Sequence, residues 1–336
     1  MPHEQHRIRI SSKTGQSWAL ILAGGEGSRL QSLTTTASGV AIPKQFCSFG
    51  GEASLLHDAL RRAQTVTTPA RTCVVVSEHH RLWWQAMDLR IPSANVIRQP
   101  SNRGTAIGIL LPLLQILHRD PNATLLVLPS DHFVCDEAVL AESLQAAVRE
   151  IRRQPDRIVM LGISPDEADP ELGYIVSRTS RASGLRSVSE FVEKPSPAVA
   201  RMLIARGGVW NSFIFAARGR TLLRAFEQRC RQLALDLWEI VSSPNPLAQA
   251  DALADLYDRA PALDFSRDIL QCSPELLRVL TVPPCGWSDL GTPRRVSEAL
   301  HRFPPRQVRT RKARDAAFLD LTQHRPVTIK GELRTG

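Results

Sequence analysis

Short apolar runs bounded by turn-forming residues recur from Trp18 to about residue 300, separated by longer segments of mixed polarity. WALIL (18–22), TCVVVS (72–77), NVIRQ (95–99), TLLVLP (124–129) and RIVMLGI (157–163) are too short for buried helices and predict strands. The segments between them, 53–66, 79–89, 104–119 and 137–153, carry helical patterning. Strands alternating with helices of this length require right-handed crossovers and a sheet covered on both faces. The fold class predicted is α/β, a doubly wound, mostly parallel sheet. After residue 170 the rhythm changes. GYIVS (173–177), LRSVSEFVEKP (185–195), WNSFIFAA (210–217) and LLRVLTVP (276–283) predict further strands, and 218–270 several helices. This half is expected to extend the sheet and build a lid over its C-terminal edge, where such folds bind ligands. No repeat of 20–50 residues is present.

Composition narrows the class. Apolar residues make up 43% and charged residues 22% of the 336, as in a soluble globular protein. The most apolar stretch, 106–117, is interrupted by Gly108, Pro112 and Gln115, short of the roughly 20 residues a membrane helix needs. The N-terminus has basic residues but no apolar region behind them, so no secretory signal and no membrane are expected, and a cytoplasmic location follows by default. The cysteines at 47, 73, 135, 230, 272 and 285 form no CxxC pair and no zinc spacing, which predicts isolated thiols. The net charge is +9, but residues 294–336 hold 11 Lys and Arg against 4 Asp and Glu. A solvated basic tail over 304–336 explains this better than a nucleic-acid surface. A second tail is expected over 1–17, leaving one domain over 18–303. Only 5 residues are lysine, and between Trp18 and Leu300 only Lys44 and Lys194, which marks both as places needing a compact ammonium.

Five phrases carry chemistry. LAGGEGSRL (22–30) follows the first strand, and Gly24, Gly25 and Gly27 would let backbone N–H groups approach an anion beside the Arg29 guanidinium. Leu30 stands where a dinucleotide fingerprint needs glycine, and no GKS or GKT follows, so neither an NAD site nor a Walker loop is predicted. IPKQF (42–46) comes next, with Lys44 able to swing back over the glycine turn. In QPSNRGTAIGI (99–109), Asn102 or Thr105 could cap the helix that follows. LPSDH (128–132) and GWSDLGTP (286–293) place Asp131 and Asp289 after strands, and two carboxylates suit Mg²⁺, which binds oxygen ligands and substrate phosphates.

LAGGxGxRL followed by PKQF resembles the signature of the sugar-1-phosphate nucleotidyltransferases, and PKQF resembles the mannose-1-phosphate guanylyltransferases. The resemblance runs in order across roughly 18–300 and takes in FVEKP (191–195) and GGVWNSFIF (207–215). The spacer 31–42 is longer than the family's and lacks its Trp-Pro, and Phe213 replaces the glycine of the family's WNSGxF phrase. The resemblance implies a Rossmann-like nucleotidyltransferase fold with a sugar-binding extension, split into a nucleotide half (18–165) and a sugar-phosphate half (166–303). It implies that GTP and mannose-1-phosphate yield GDP-mannose and pyrophosphate. Arg29 would hold the β- and γ-phosphates, Lys44 the leaving pyrophosphate, Lys194 the sugar phosphate, and Mg²⁺ on Asp131 and Asp289 the α-phosphate. QPSNRGTAIGI is similar to the family's base-recognition segment, so Asn102, Gly104 and Thr105 would face a purine edge, and Gly173, Glu193 and Asn211 would take the hexose. Another triphosphate or hexose, a non-catalytic relative binding nucleotide sugar, and a homodimer stay open, whereas an oxidoreductase is disfavoured. The stretch after Leu290 has no room for the isomerase domain of bifunctional members, so one activity is expected.

Overall fold

The computed structural model describes residues 16–49, 53–178 and 184–302, together with a small antiparallel ladder pairing Leu319–Asp320 with Arg325–Pro326. The expected tails therefore lie almost entirely outside the described residues.

The strands are β1 (Ser17–Ala23), β2 (Thr72–Ser77), β3 (Val96–Gln99), β4 (Thr124–Pro129), β5 (Ile158–Ile163), β6 (Tyr174–Ser177), β7 (Arg186–Val192), β8 (Val209–Arg218) and β9 (Leu277–Thr281). They form one sheet in the order β3-β2-β1-β4-β8-β5-β9-β7-β6. β1 to β4 pair in parallel, as do β5 and β9, whereas β8 lies antiparallel to β4, β5 and β6, and β7 antiparallel to β6 and β9. Seven strands thus point one way and two the other. Because β8 is inserted between β4 and β5, the two halves share one sheet with no break near residue 165.

The strand alternation sorts side chains to two separate cores. Along β1, Trp18 and Leu20 face one core, and Ala19, Ile21 and Ala23 the other. The helices in chain order are α1 (Gln31–Thr34), α2 (Leu55–Gln64), α3 (Arg81–Gln85), α4 (Gly104–Arg119), α5 (Glu137–Arg153), α6 (Pro197–Ala205), α7 (Gly219–Ser242), α8 (Pro246–Arg259) and α9 (Pro293–Arg302). The helix expected over 79–89 shrinks to α3 behind a 3₁₀ turn (Glu78–His80). Neither α6 nor α9 was predicted from the sequence pattern.

α4 is buried along most of its circumference, since it packs between the sheet and α7, and each enclosed leucine stabilises by roughly 1.5–3 kcal/mol. The helices expected over 218–270 do not form the lid: α7 and α8 cover the α4 face, and within that stretch only the segment around 262–267 reaches the sheet edge. That segment is stitched to the start of α4. Ala106 N–H donates to Leu263 O (3.0 Å), Leu263 N–H to Arg103 O (3.1 Å), and Phe265 N–H to Thr105 Oγ1 (2.8 Å). Gly104 makes this approach feasible: its φ is +85°, and a Cβ there would fall 2.2 Å from Leu263 O. Gly104→Ala is therefore expected to cost about 2–4 kcal/mol, through backbone strain plus a backbone clash, read as a lower urea midpoint. An unchanged midpoint would show that the two segments are not locked together.

Candidate active site

A cavity of about 560 Å³ opens at the carboxyl ends of β1 to β4. Because β8 runs the other way, its first residues, Asn211 to Phe213, reach the same edge. Of the residues singled out from the sequence, Lys44 alone does not line this cavity among the described residues.

On one wall, the chain leaves β1 through Gly24 and Gly25 and turns at Gly27, whose φ is +63°. A Cβ on Gly27 would meet Lys44 N at 3.0 Å, so the glycine turn rests directly on the PKQF segment. Gln45, buried beside Lys44, donates its amide to Ala23 O (2.9 Å) and Gly25 O (3.0 Å). The sequence reading missed Gln45 as the clamp on this loop.

Lys44 does not swing over the glycine turn. Its buried ammonium makes an ion pair with Asp131 Oδ2 (2.9 Å) and donates to Asp289 O (2.7 Å) and Leu290 O (3.2 Å). Burial alone would raise the Asp131 carboxyl, but the Lys44 ammonium holds it below its ordinary value. His132 is pushed down to about 4 by burial despite the neighbouring Asp131, so it is neutral at pH 7. Trp287 Nε1 donates to His132 Nδ1 (3.2 Å), which leaves the ring proton on Nε2. Asp289 lies 3.3 Å from Arg295 Nη1 through Oδ1, yet that oxygen is buried and accepts no hydrogen bond, so the contact is Coulombic. Two carboxylates on one cavity wall, Asp131 about a third exposed and Asp289 more buried, are an oxygen donor set that fits a hard divalent cation taking further ligands from phosphates.

The opposite wall carries the residues expected to hold a hexose. Asn211 N–H donates to Gly173 O (2.8 Å), and a Cβ on Gly173 would lie 2.5 Å from Glu193 Oε2, so these three residues meet at one spot. Glu193 Oε2 is buried against Gly173 and accepts no hydrogen bond within the protein. Burial, and then the charge of Asp264, push the Glu193 carboxyl up to about 7. Lys194 is exposed on the cavity wall with φ +46°. Phe213 also adopts a left-handed φ, +57°, at a bulge between β5 and β8 where the family has glycine. The bulge is held by Asn211 Oδ1, which accepts from Phe213 N–H (2.9 Å), and by Ser212, whose hydroxyl donates to Leu161 O (2.7 Å). Arg29 reaches across the cavity mouth to Glu171 (2.8 Å).

Between the walls stands the start of α4. Asn102 Oδ1 accepts from Gly104 N–H (2.9 Å), so this amide shapes the turn, and Thr105 accepts from Phe265. Gln99, at the end of β3, was not singled out from the sequence. Its Oε1 accepts from the Tyr257 hydroxyl (3.1 Å), while its Nε2 lies against Gly24 on the cavity wall. A glutamine that distant from Tyr257 in sequence gives no local signal, and only the tertiary fold joins them.

A family model described as "Nucleotidyl transferase" matches residues 18–303. The chain is 31% identical over 306 residues to "Mannose-1-phosphate guanylyltransferase" of Salmonella muenchen, covering 86% of this chain and 60% of that protein. It is 30% identical over 280 residues to "Xanthan biosynthesis protein XanB" of Xanthomonas campestris pv. campestris (strain B100), covering 81% and 57%. It thus spans less than two thirds of these curated relatives. Among solved structures, one described as mannose-1-phosphate geranyltransferase from Thermus thermophilus superposes with TM-score 0.66 at 28% identity, covering 82% of this chain and 76% of that one. A UDP-glucose pyrophosphorylase complexed with UDP-glucose, TM-score 0.55 at 15% identity, covering 86% and 98%, shares the fold. Among the described residues, no helix is long and apolar enough to cross a membrane.

The raised Glu193 carboxyl makes a testable statement about pH. Between its unfolded value near 4.5 and its folded value of about 7, the folded protein binds more protons, so this group makes stability fall as pH rises through that window. Glu193→Gln should remove up to about 3 kcal/mol of that fall, measured by denaturant titration at pH 5 and pH 8. Identical pH profiles for wild type and variant would show that Glu193 titrates normally.

Proposed function

Since the chain belongs to the nucleotidyl transferase family, we propose that it transfers a guanylyl group from GTP to mannose-1-phosphate, giving GDP-mannose and pyrophosphate. The observation that carries this reading is the single cavity in which a glycine turn, two carboxylates and the Gly173–Glu193–Asn211 cluster meet. The name of the Salmonella relative supports the choice of substrates.

The reaction joins two anions, so its main demands are charge compensation and alignment. The attacking oxygen belongs to a phosphate monoester that is already ionised at neutral pH, and no protein base is required. Arg29, at the glycine turn, exchanges its half-exposed partner Glu171 for the β- and γ-phosphates, a small sacrifice because exposed ion pairs contribute about 0–1 kcal/mol. Lys194 holds the sugar phosphate, and Glu193 and Asn211 fix the hexose beside it. Lys44 serves the reaction from behind the wall, by keeping Asp131 ionised and the 289–290 carbonyls in place. Mg²⁺ held by Asp131 and Asp289 would neutralise charge at the α-phosphate.

A second reading is favoured by Gln99. With its oxygen engaged by Tyr257, its NH₂ is left to donate to a base carbonyl, which guanine, uracil and thymine possess and adenine lacks. UTP or dTTP would satisfy the same donor. The test is a matrix of nucleoside triphosphates against sugar-1-phosphates, read as pyrophosphate release. GTP with mannose-1-phosphate is expected to give the highest kcat/KM. ITP, which keeps the 6-oxo group, should fall within about tenfold of GTP, and ATP should be more than about tenfold poorer. A preference for UTP or dTTP would overturn GDP-mannose as the product. Pyrophosphate release with none of the pairs would overturn the transferase reading.

A further inference from the structure

Arg295 belongs to none of the phrases that drew attention in the sequence, and it does not line the cavity. It sits in the first turn of α9, yet its side chain is only 7% exposed. A buried guanidinium must be matched by acceptors, and three carboxylates surround this one: Asp169, Asp289 and, 3.6 Å from Nη2, the more exposed Glu167. Nε donates to Asp169 Oδ2 at 2.8 Å with Nη2 on the same oxygen, while Nη1 lies 3.3 Å from Asp289 Oδ1. The guanidinium stacks 4.9 Å from the centroid of the Trp210 ring.

Asp169 and Asp289 serve different sides of the cavity. Asp289 is one of the two acids on the cation side, and its Oδ2 is pressed against Gly291, where a Cβ would come within 2.3 Å. Asp169 shapes the turn leading to the hexose side. Its Oδ1 accepts from Glu171 N–H (2.7 Å), and its carbonyl accepts from the Tyr174 hydroxyl (3.0 Å). That turn delivers Glu171 to Arg29 and Gly173 to Asn211.

We propose that Arg295 is a positioning residue that fixes the Asp289 carboxylate and the 169–173 turn to one another, so that a single guanidinium sets both the cation side and the hexose side of the cavity. This rests on the assignment of those two sides under the proposed function. The planar fork is essential, because a lysine ammonium is a point charge on a narrower reach and cannot span both acids in this geometry.

The test uses three ligands on the full chain: Mn²⁺, followed by the paramagnetic signal of the free ion, and GDP and GDP-mannose, followed by calorimetry without metal. Arg295→Met should weaken Mn²⁺ and GDP-mannose each by about tenfold, as expected for loss of a residue that orients a ligand. GDP, which does not use the hexose side, should change by less than about twofold. Arg295→Lys retains the charge and should keep the thermal midpoint close to wild type without restoring either affinity. Asp169→Asn should weaken GDP-mannose but leave Mn²⁺ within about twofold, since Arg295 remains free to hold Asp289. Wild-type affinities for Mn²⁺ and GDP-mannose in Arg295→Lys would overturn the proposal, as would a loss confined to one of them in Arg295→Met, or an equal loss for GDP. Where Arg295→Met fails to fold, Arg295→Lys decides. Wild-type protein that binds none of the three ligands would overturn the proposed function, and the role of Arg295 with it.

Discussion

Lys44 is a buried ammonium, and the cost of removing it from water ties three distant stretches of chain together. Its three donors are taken by the Asp131 carboxylate at the end of β4 and by the carbonyls of Asp289 and Leu290. Leu290 is bent into a left-handed φ of +47° to present its carbonyl. The next residue, Gln45, clamps the glycine turn through two further carbonyls. One short phrase therefore places the glycine turn and both acids relative to one another. A buried pair of this kind contributes little net stability, because desolvation offsets the attraction. What it contributes is geometry.

The reversed strand β8 does the corresponding work for the second half. A strand running parallel to its neighbours would deliver its last residues to the cavity edge, whereas β8 delivers its first. Asn211 thus arrives opposite Asp131 without a long loop, and the bulge at Phe213 turns its side chain back to hold the backbone. The half-exposed Arg29–Glu171 pair then bridges the two walls where substrates would enter.

Most of the fold was legible because strands buried on both faces appear as short apolar runs and the helices between them are long. α4 spans 104–119 as its patterning predicts, and β2 and β4 match their expected spans. Failures have physical causes. α9 is short and rich in arginine, so its few apolar residues give a weak helical pattern, and only the tertiary fold buries Arg295. The helix expected at 79–89 stops at Gln85, although Trp83, Trp84, Met87 and Leu89 all pack on the core, so their apolar character marks burial and not a continuous helix. Site residues carried by glycines or by acids after strands were visible, because backbone approach and strand ends leave local marks. Gln99 and Arg295 left none, since each acquires its partner from residues more than 100 positions away. Lys44 was legible as a residue of consequence, but its direction was not. A lysine next to a glycine turn suggests a phosphate ligand, and only the tertiary position of Asp131 and the 289–290 carbonyls turns it inward.

Anomalous diffraction from crystals grown with Mn²⁺, mannose-1-phosphate and a non-hydrolysable GTP analogue tests the central claim most directly, because it locates cation, base and hexose in one experiment. The account predicts an anomalous peak ligated by both Asp131 and Asp289, with Lys44 still paired to Asp131, the base at Gln99 and the hexose at Glu193 and Asn211. A peak away from those two carboxylates, or a hexose bound outside the Gly173–Glu193–Asn211 cluster, would contradict it.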